Sequence, residues 1–195
     1  VAILNSELMH LFSEQMFLIR VQNNLQRWEN RLVKRCFDIS FCVLLLPFIA
    51  PFLVLFSFLV KVESSGPAFF RQKRQGKDGI PFYVWKFRSM YKDADVRLKE
   101  ILSKDPVQKK EWDTYFKLKN DPRITKTGRF LRETSLDELP QIINVFVGDM
   151  SLVGPRPVLE QELEEYYGDY ALYYNSVRPG ISGLWQVSGR NDVDY

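Results

Sequence analysis

Histidine is almost missing from this chain, and cysteine is nearly as scarce. His10 is the one histidine in 195 residues, and it sits in an apolar N-terminal segment. A Ser-His-Asp triad, a Cys-His dyad or a histidine-rich metal centre therefore has no material in the body of the chain. The two cysteines, Cys36 and Cys42, lie in or beside the most apolar stretch and form no CxxC pair. That excludes a disulfide framework and a thiolate zinc site, and it predicts two reduced, buried thiols in a cytosol-facing protein. Any acid, base or nucleophile must come from Asp, Glu, Lys, Arg, Tyr or Ser. Internal repeats and low-complexity tracts are also missing. Neither sign of charge dominates: 27 basic against 24 acidic residues leave +3, too mild to imply nucleic acid.

What is present begins with apolar residues at near-helical spacing. Across residues 4–33, Leu4, Leu8, Leu11 and Phe12, then Leu18, Val21 and Leu25, predict an amphipathic lead-in helix or linker. From Ile39 to Val60 no charge occurs. At about 1.5 Å per residue such a run is long enough to cross a hydrocarbon core of about 30 Å. Pro47 and Pro51 at its middle each remove a backbone donor and predict a break. Basic residues flank both ends (Lys34 and Arg35 before, Lys61, Arg71, Lys73 and Arg74 after), whereas a crossing helix carries its positive bias on one side. A helix–break–helix over residues 34–62 that enters one leaflet and returns satisfies both features; a simple crossing is the alternative.

Residues 63–195 read as a soluble catalytic domain. An alternating stretch over 66–90 with a glycine-rich turn at Gly76–Gly79 predicts a β-hairpin. Residues 91–119, 128–148 with an interruption near Ser135, and 158–175 read as helical. The expected fold is α/β: mostly helical with a small hairpin or sheet, joined to the membrane segment. The chain opens on Val1 and stops at Tyr195 inside a polar run, as a fragment of a longer protein would. Apolar N-terminal residues with no visible partner point to self-association.

Chemistry concentrates in Ser135-Leu136-Asp137-Glu138-Leu139-Pro140-Gln141. Ser135 and Glu138 have capping-box spacing, and Pro140 suits the first turn of a helix. Asp137 and Glu138 thus sit near a helix start, where ordinary capping explains them. The same pair also offers oxygen ligands for a divalent ion and a carboxylate nucleophile for phosphorus. Around it stand cations. Arg156 and Arg178 occupy proline-stiffened loops, GPRP and RPG, while Lys86, Arg88, Arg129 and Arg132 complete the set. Arginine's planar fork matches phosphate, so cations grouped about carboxylates point to phosphoryl transfer. The tyrosines of 166–174 read as packing residues, and the basic run Arg71–Lys77 suits lipid headgroups better than nucleic acid.

From Lys34 to Tyr195 the chain resembles the bacterial sugar transferase family, the monotopic polyprenyl-phosphate phosphoglycosyl transferases. The resemblance rests on Lys34-Arg35-x-x-Asp38, Pro51, FFRQKRQGKDGIPFYVWKFRSM, DPRITKTGRFLRETSLDELPQIINVFVGDMSLVGPRP and RPGISGLWQVSGRND. It implies that Asp137 attacks the β-phosphate of a UDP-sugar, galactose before glucose, releasing UMP and leaving a phosphosugar on the aspartate. Glu138 would support Asp137 and Mg²⁺, and undecaprenyl phosphate would then take the phosphosugar. It further implies a re-entrant helix broken at the prolines, with the site at the cytoplasmic face of a bacterial inner membrane against its lipids. Ala50 departs from the serine that often precedes the helix-breaking proline. Two other readings remain: a non-catalytic membrane module, and a glycosyltransferase that releases UDP.

Overall fold

The computed structural model describes residues 8–10, 17–19, 25, 27–115 and 118–183. The chain divides into two units, Val1–Phe37 and Asp38–Tyr195. In the first, β1 (Leu8–His10) pairs antiparallel with β2 (Phe17–Ile19). The helix expected across residues 4–33 is therefore not what forms at those positions; helix begins at Trp28. Apolar clusters only three residues long fit either period, and aromatic and β-branched members such as Phe17 and Ile19 favour strand.

Helix α1 runs from Trp28 to Glu63 with Pro47 and Pro51 inside it. The expected helix–break–helix is one hydrogen-bonded element. Each proline removes a single donor, and both sit on the exposed face, while bonds on the other side of the helix continue. Within the second unit Asp38, Cys42, Phe56 and Val60 are buried, and Leu45, Ile49 and Leu53 pack on the core between them. Steps of three and four make this one stripe along the helix. The remaining faces expose Leu44, Phe48, Val54 and Phe58. By length and composition α1 is able to cross a membrane. Cys42 is buried as expected, whereas Cys36 is exposed because it lies off the stripe.

The hairpin forms as its alternation predicts. β3 (Phe69–Gln75) and β4 (Pro81–Phe87) pair antiparallel from Phe69↔Phe87 to Gln75↔Pro81. The turn between them is a 3-10 segment in which Asp78 and Gly79 take positive φ, 58° and 72°. Then follow α2 (Ala94–Lys104), α3 (Pro106–Tyr115) and α4 (Lys126–Glu133). Thr125 caps α4 by accepting from the Gly128 N–H at 2.9 Å. The carboxylate of Glu63, at the end of α1, accepts from Lys126 N–H at 2.6 Å and Thr127 N–H at 2.8 Å. Glycine is required at 128, where a Cβ would lie 2.0 Å from the Ser89 carbonyl oxygen.

A 3-10 turn, Leu136–Glu138, leads into α5 (Gln141–Val147). The single helix expected over 158–175 is instead α6 (Glu160–Tyr167) and α7 (Ala171–Asn175), divided where Gly168 takes a φ of 45°. A short parallel pair completes the domain: β5 (Ser151–Val153) beside β6 (Gly180–Ser182). A Cβ on Gly180 would fall 2.1 Å from the Gly154 nitrogen, so these backbones meet only because neither residue has a side chain. Asp38, 2% exposed, ties α1 to this pair by accepting from Ser151 Oγ at 2.8 Å and Leu152 N–H at 3.3 Å. Asn144 joins α5 to β4: its amide donates to the Tyr83 carbonyl at 2.7 Å and its oxygen accepts from Trp85 N–H at 3.0 Å. The architecture is mostly helical with small sheets.

Candidate active site

Strand alternation decides which hairpin cations turn inward. Phe82 and Val84 are buried in the core, so Lys86 follows them on the same face of β4. Opposite, the register sets Arg74 across from Phe82 and Gln72 across from Val84, and Arg74 donates to Gln72 Oε1 at 3.0 Å. Arg74 and Lys86 therefore line one cavity of about 560 Å³. Glu138, Gln141 and Arg156 line it as well, and an apolar wall is made by Leu45 and Ile49 of α1 with Ile142, Leu152 and Ile181.

The carboxylates arrive by a turn rather than a capped helix start. Ser135 takes the left-handed conformation, φ 59°, and its side chain caps nothing. The expected capping box is absent because Ser135 reverses the chain leaving α4, a job its positive φ makes incompatible with N-cap geometry. Glu138 reaches across to β4, where Lys86 Nζ donates to its Oε1 at 2.8 Å. Asp137 does not line the cavity itself, but its neighbours Glu138 and Ser135 do. Burial pushes the Asp137 carboxyl above the ordinary carboxylate range. Lys86 pulls it back, Glu138 pushes it further up, Arg132 pulls it down, and the balance stays raised.

Arg132 completes this electrostatic set from α4. Its Nε donates to Ser89 Oγ at 2.8 Å, and its charge acts on both Asp137 and Asp121. Asp121 is in turn buried against Arg123, with Nη2 to Oδ2 at 2.6 Å and the guanidinium over the Trp112 ring. The Arg156 loop is fixed by Tyr174, whose buried hydroxyl donates to the Arg156 carbonyl at 3.0 Å and accepts from Val158 N–H at 3.2 Å. Burial pushes that phenol up to about 12. Tyr174 is thus a packing residue, as the sequence suggested.

Three expected phosphate ligands lie elsewhere. Arg88 turns back to the end of α1, donating to the Ser64 carbonyl and to the Ser65 carbonyl at 2.9 Å. Arg178 Nε donates to the Gly148 carbonyl at 2.6 Å, closing the C-terminus of α5. Arg129 is exposed on α4 and does not line the cavity. An arginine in a stiff loop serves an orphan carbonyl as readily as a phosphate, and spacing does not separate the two. Conversely, sequence reasoning missed Arg74 and Gln141. The hairpin alternation carries the first; a polar residue opening the largely apolar helix QIINVFV marks the second. The part of RPGISGLWQVSGRND beyond Gly183 lies outside the described residues.

Among the described residues no three His, Cys, Asp or Glu side chains converge as a metal cage. Mg²⁺ is commonly held by one or two carboxylates with substrate phosphates and waters filling the shell. Asp137 and Glu138 fit that type of donor set. Chemically, the arrangement offers an oxygen nucleophile, cations for a phosphate and an apolar wall beside them.

Known proteins resemble this chain along most of its length. The model of the bacterial sugar transferase family matches residues 29–195. The chain is 49% identical over 191 residues to the undecaprenyl-phosphate galactose phosphotransferase of Salmonella typhimurium, covering 98% of this chain and 40% of that protein. It is 45% identical over 169 residues to the UDP-glucose:undecaprenyl-phosphate glucose-1-phosphate transferase of Escherichia coli, covering 85% and 33%. It is 43% identical over 179 residues to the exopolysaccharide production protein ExoY of Rhizobium meliloti, covering 92% and 79%. The chain spans about two-fifths of the length of the Salmonella relative. A match across nearly all of α1 and the whole second unit, at such identity, makes this chain a member of the bacterial sugar transferase family.

Proposed function

We propose that this chain is the catalytic part of an enzyme that moves a sugar 1-phosphate from a UDP-sugar to undecaprenyl phosphate at the cytoplasmic face of a bacterial inner membrane. Galactose is the leading sugar and glucose the second, following what the Salmonella and Escherichia coli relatives are named for. The Asp137 carboxylate attacks the β-phosphorus, the bond to the α-phosphate oxygen breaks, and UMP leaves with that electron pair. A phosphate oxygen of the lipid then attacks the same phosphorus and the aspartyl–phosphorus bond breaks. Carboxylate is regenerated and a sugar–diphospho–lipid forms.

The observation that carries this reading is the placement of Asp137 beside Lys86 and Arg132, at the edge of a cavity that also holds Arg74 and Arg156. Cations so placed hold the diphosphate and offset the charge that gathers on the equatorial oxygens. The Leu45–Ile49 wall gives the lipid's first isoprene units an apolar surface next to those charges. Asp137 and Glu138 would hold Mg²⁺, which would neutralise phosphate charge when bound. Asp137→Asn keeps the shape and removes the nucleophile, so lipid-dependent UMP release should fall by roughly three orders of magnitude or more. Substantial turnover by that variant sinks the covalent route, and release of UDP instead of UMP sinks the reaction class.

A further inference from the structure

Gln141 is an anomaly in a cavity otherwise built of charges and hydrocarbon. The residue is 2% exposed and lines the cavity, and among the described residues no hydrogen bond is made to its carboxamide, whose polar atoms stay open to the cavity. Buried amides are ordinarily bonded within the protein, so one left open to a cavity is placed to take its partner from what fills that cavity. The neighbouring polar residue of α5, Asn144, shows the usual outcome with its bonds to Tyr83 and Trp85. Gln141 has a comparable burial and none of that bonding.

Its position says what the missing partner touches. Leu139 and Pro140 have helical backbone angles, and Leu139 N–H and Ile142 N–H donate to the carbonyls of Leu136 and Leu139. The path from Leu136 into α5 is thus helical throughout. Glu138 and Gln141, three apart, share a face, and Asp137 and Gln141 are four apart. The carboxamide therefore stands one turn from the carboxylates. Phosphate oxygens only accept, and the cations Arg74, Lys86 and Arg156, which line the same cavity, are the donors that suit them. A carboxamide offers a donor and an acceptor side by side, which matches a hydroxyl, itself donor and acceptor. We infer that Gln141 is a specificity residue that hydrogen-bonds a hydroxyl of the sugar next to the reacting phosphorus. This rests on the reading that the cavity takes a sugar nucleotide. The ribose carries hydroxyls too, but it lies one phosphate farther from the carboxylates.

The test uses the full-length protein in lipid. Galactose 1-phosphate, glucose 1-phosphate and inorganic phosphate are titrated calorimetrically into wild type and Gln141→Met. The expected result is about tenfold weaker binding of the preferred sugar phosphate in the variant, with inorganic phosphate unchanged. In turnover, wild type should lose about tenfold in kcat/KM on at least one monodeoxy-sugar donor, and Gln141→Met should no longer distinguish that donor from its parent. Equal losses for sugar phosphate and phosphate, no loss for either, or sensitivity only to a 2′-deoxyuridine donor overturns the inference. Should Gln141→Met fail to fold, Gln141→Asn, which keeps the amide and shortens its reach, must show the same selective loss. The deoxy-donor series on wild type needs no variant. Absence of UMP from every donor defeats the proposed reaction, while sugar-phosphate binding that depends on Gln141 would still stand.

Discussion

In the proposed reaction Asp137 has to be ionised to attack phosphorus, yet burial raises its pKa, and the surrounding charges divide over it. The acid limb of the rate profile should therefore lie above the ordinary carboxylate range, with activity rising as pH climbs through it. Lys86→Met removes the ammonium that lowers this pKa and should move the limb to higher pH; Glu138→Gln removes a like charge and should move it lower. Rates of UMP release measured against pH for the three proteins check the two directions. The same shift means that the folded state holds the Asp137 proton more tightly than the unfolded state. Stability from this group is thus lost as pH rises from the unfolded to the folded pKa. Glu63 is the opposite case. Although burial opposes it, bonds from Thr127 and Lys126 hold its carboxyl below the usual range. Its contribution is present above the unfolded pKa and is lost as pH falls through the folded one.

At the scale of elements, the arginines separate into those that meet the cavity and those that close a backbone. Arg156 sits on a loop fixed by Tyr174 and lines the cavity, whereas Arg178 caps α5 at Gly148. Arg178→Ala leaves a carbonyl short of a charged donor and should cost about 2 kcal/mol, a fall of several degrees in Tm. Arg156→Ala should lower kcat/KM for the donor by about tenfold or more. Thermal unfolding in detergent alongside steady-state kinetics separates the pair, and matching Tm losses would make the Arg156 loop structural as well. Both arginines stand beside proline in the sequence, so only their contacts tell them apart.

For the whole molecule, α1 is the element that serves two solvents. One stripe, Asp38 to Val60, belongs to the core of the second unit, and the remaining faces present Phe48, Val54 and Phe58 outward. A lipid-soluble photoreactive probe in native membranes should label those outward positions and spare Cys42, Phe56 and Val60. Equal labelling on all faces would mean that α1 leaves the domain in the membrane. Leu45 and Ile49 lie on the packed stripe of this helix and line the cavity, so the proposed acceptor surface and the outward residues belong to different sides of α1.

The hairpin, the helical segments around Ser135 and the apolar helix were legible in the chain. Each depends on local period, turn chemistry or charge scarcity, which neighbours in sequence decide. Other features were decided only by contacts between distant segments. Whether Arg88, Arg129 and Arg178 bind phosphate or finish a backbone depends on which carbonyl or cavity lies near them. The inward turn of Arg74 needs the hairpin register, and the parallel β5–β6 pair needs two glycines brought together from residues 154 and 180. Prolines 47 and 51 signalled a break, but helix continued through them because a missing donor on one exposed face leaves the other bonds of the helix in place. Gln141 looked like the polar first residue of a helix. Only its place in a cavity, with no partner among the described residues, made it a candidate for chemistry, because a residue's surroundings are set by the fold and not by the residue.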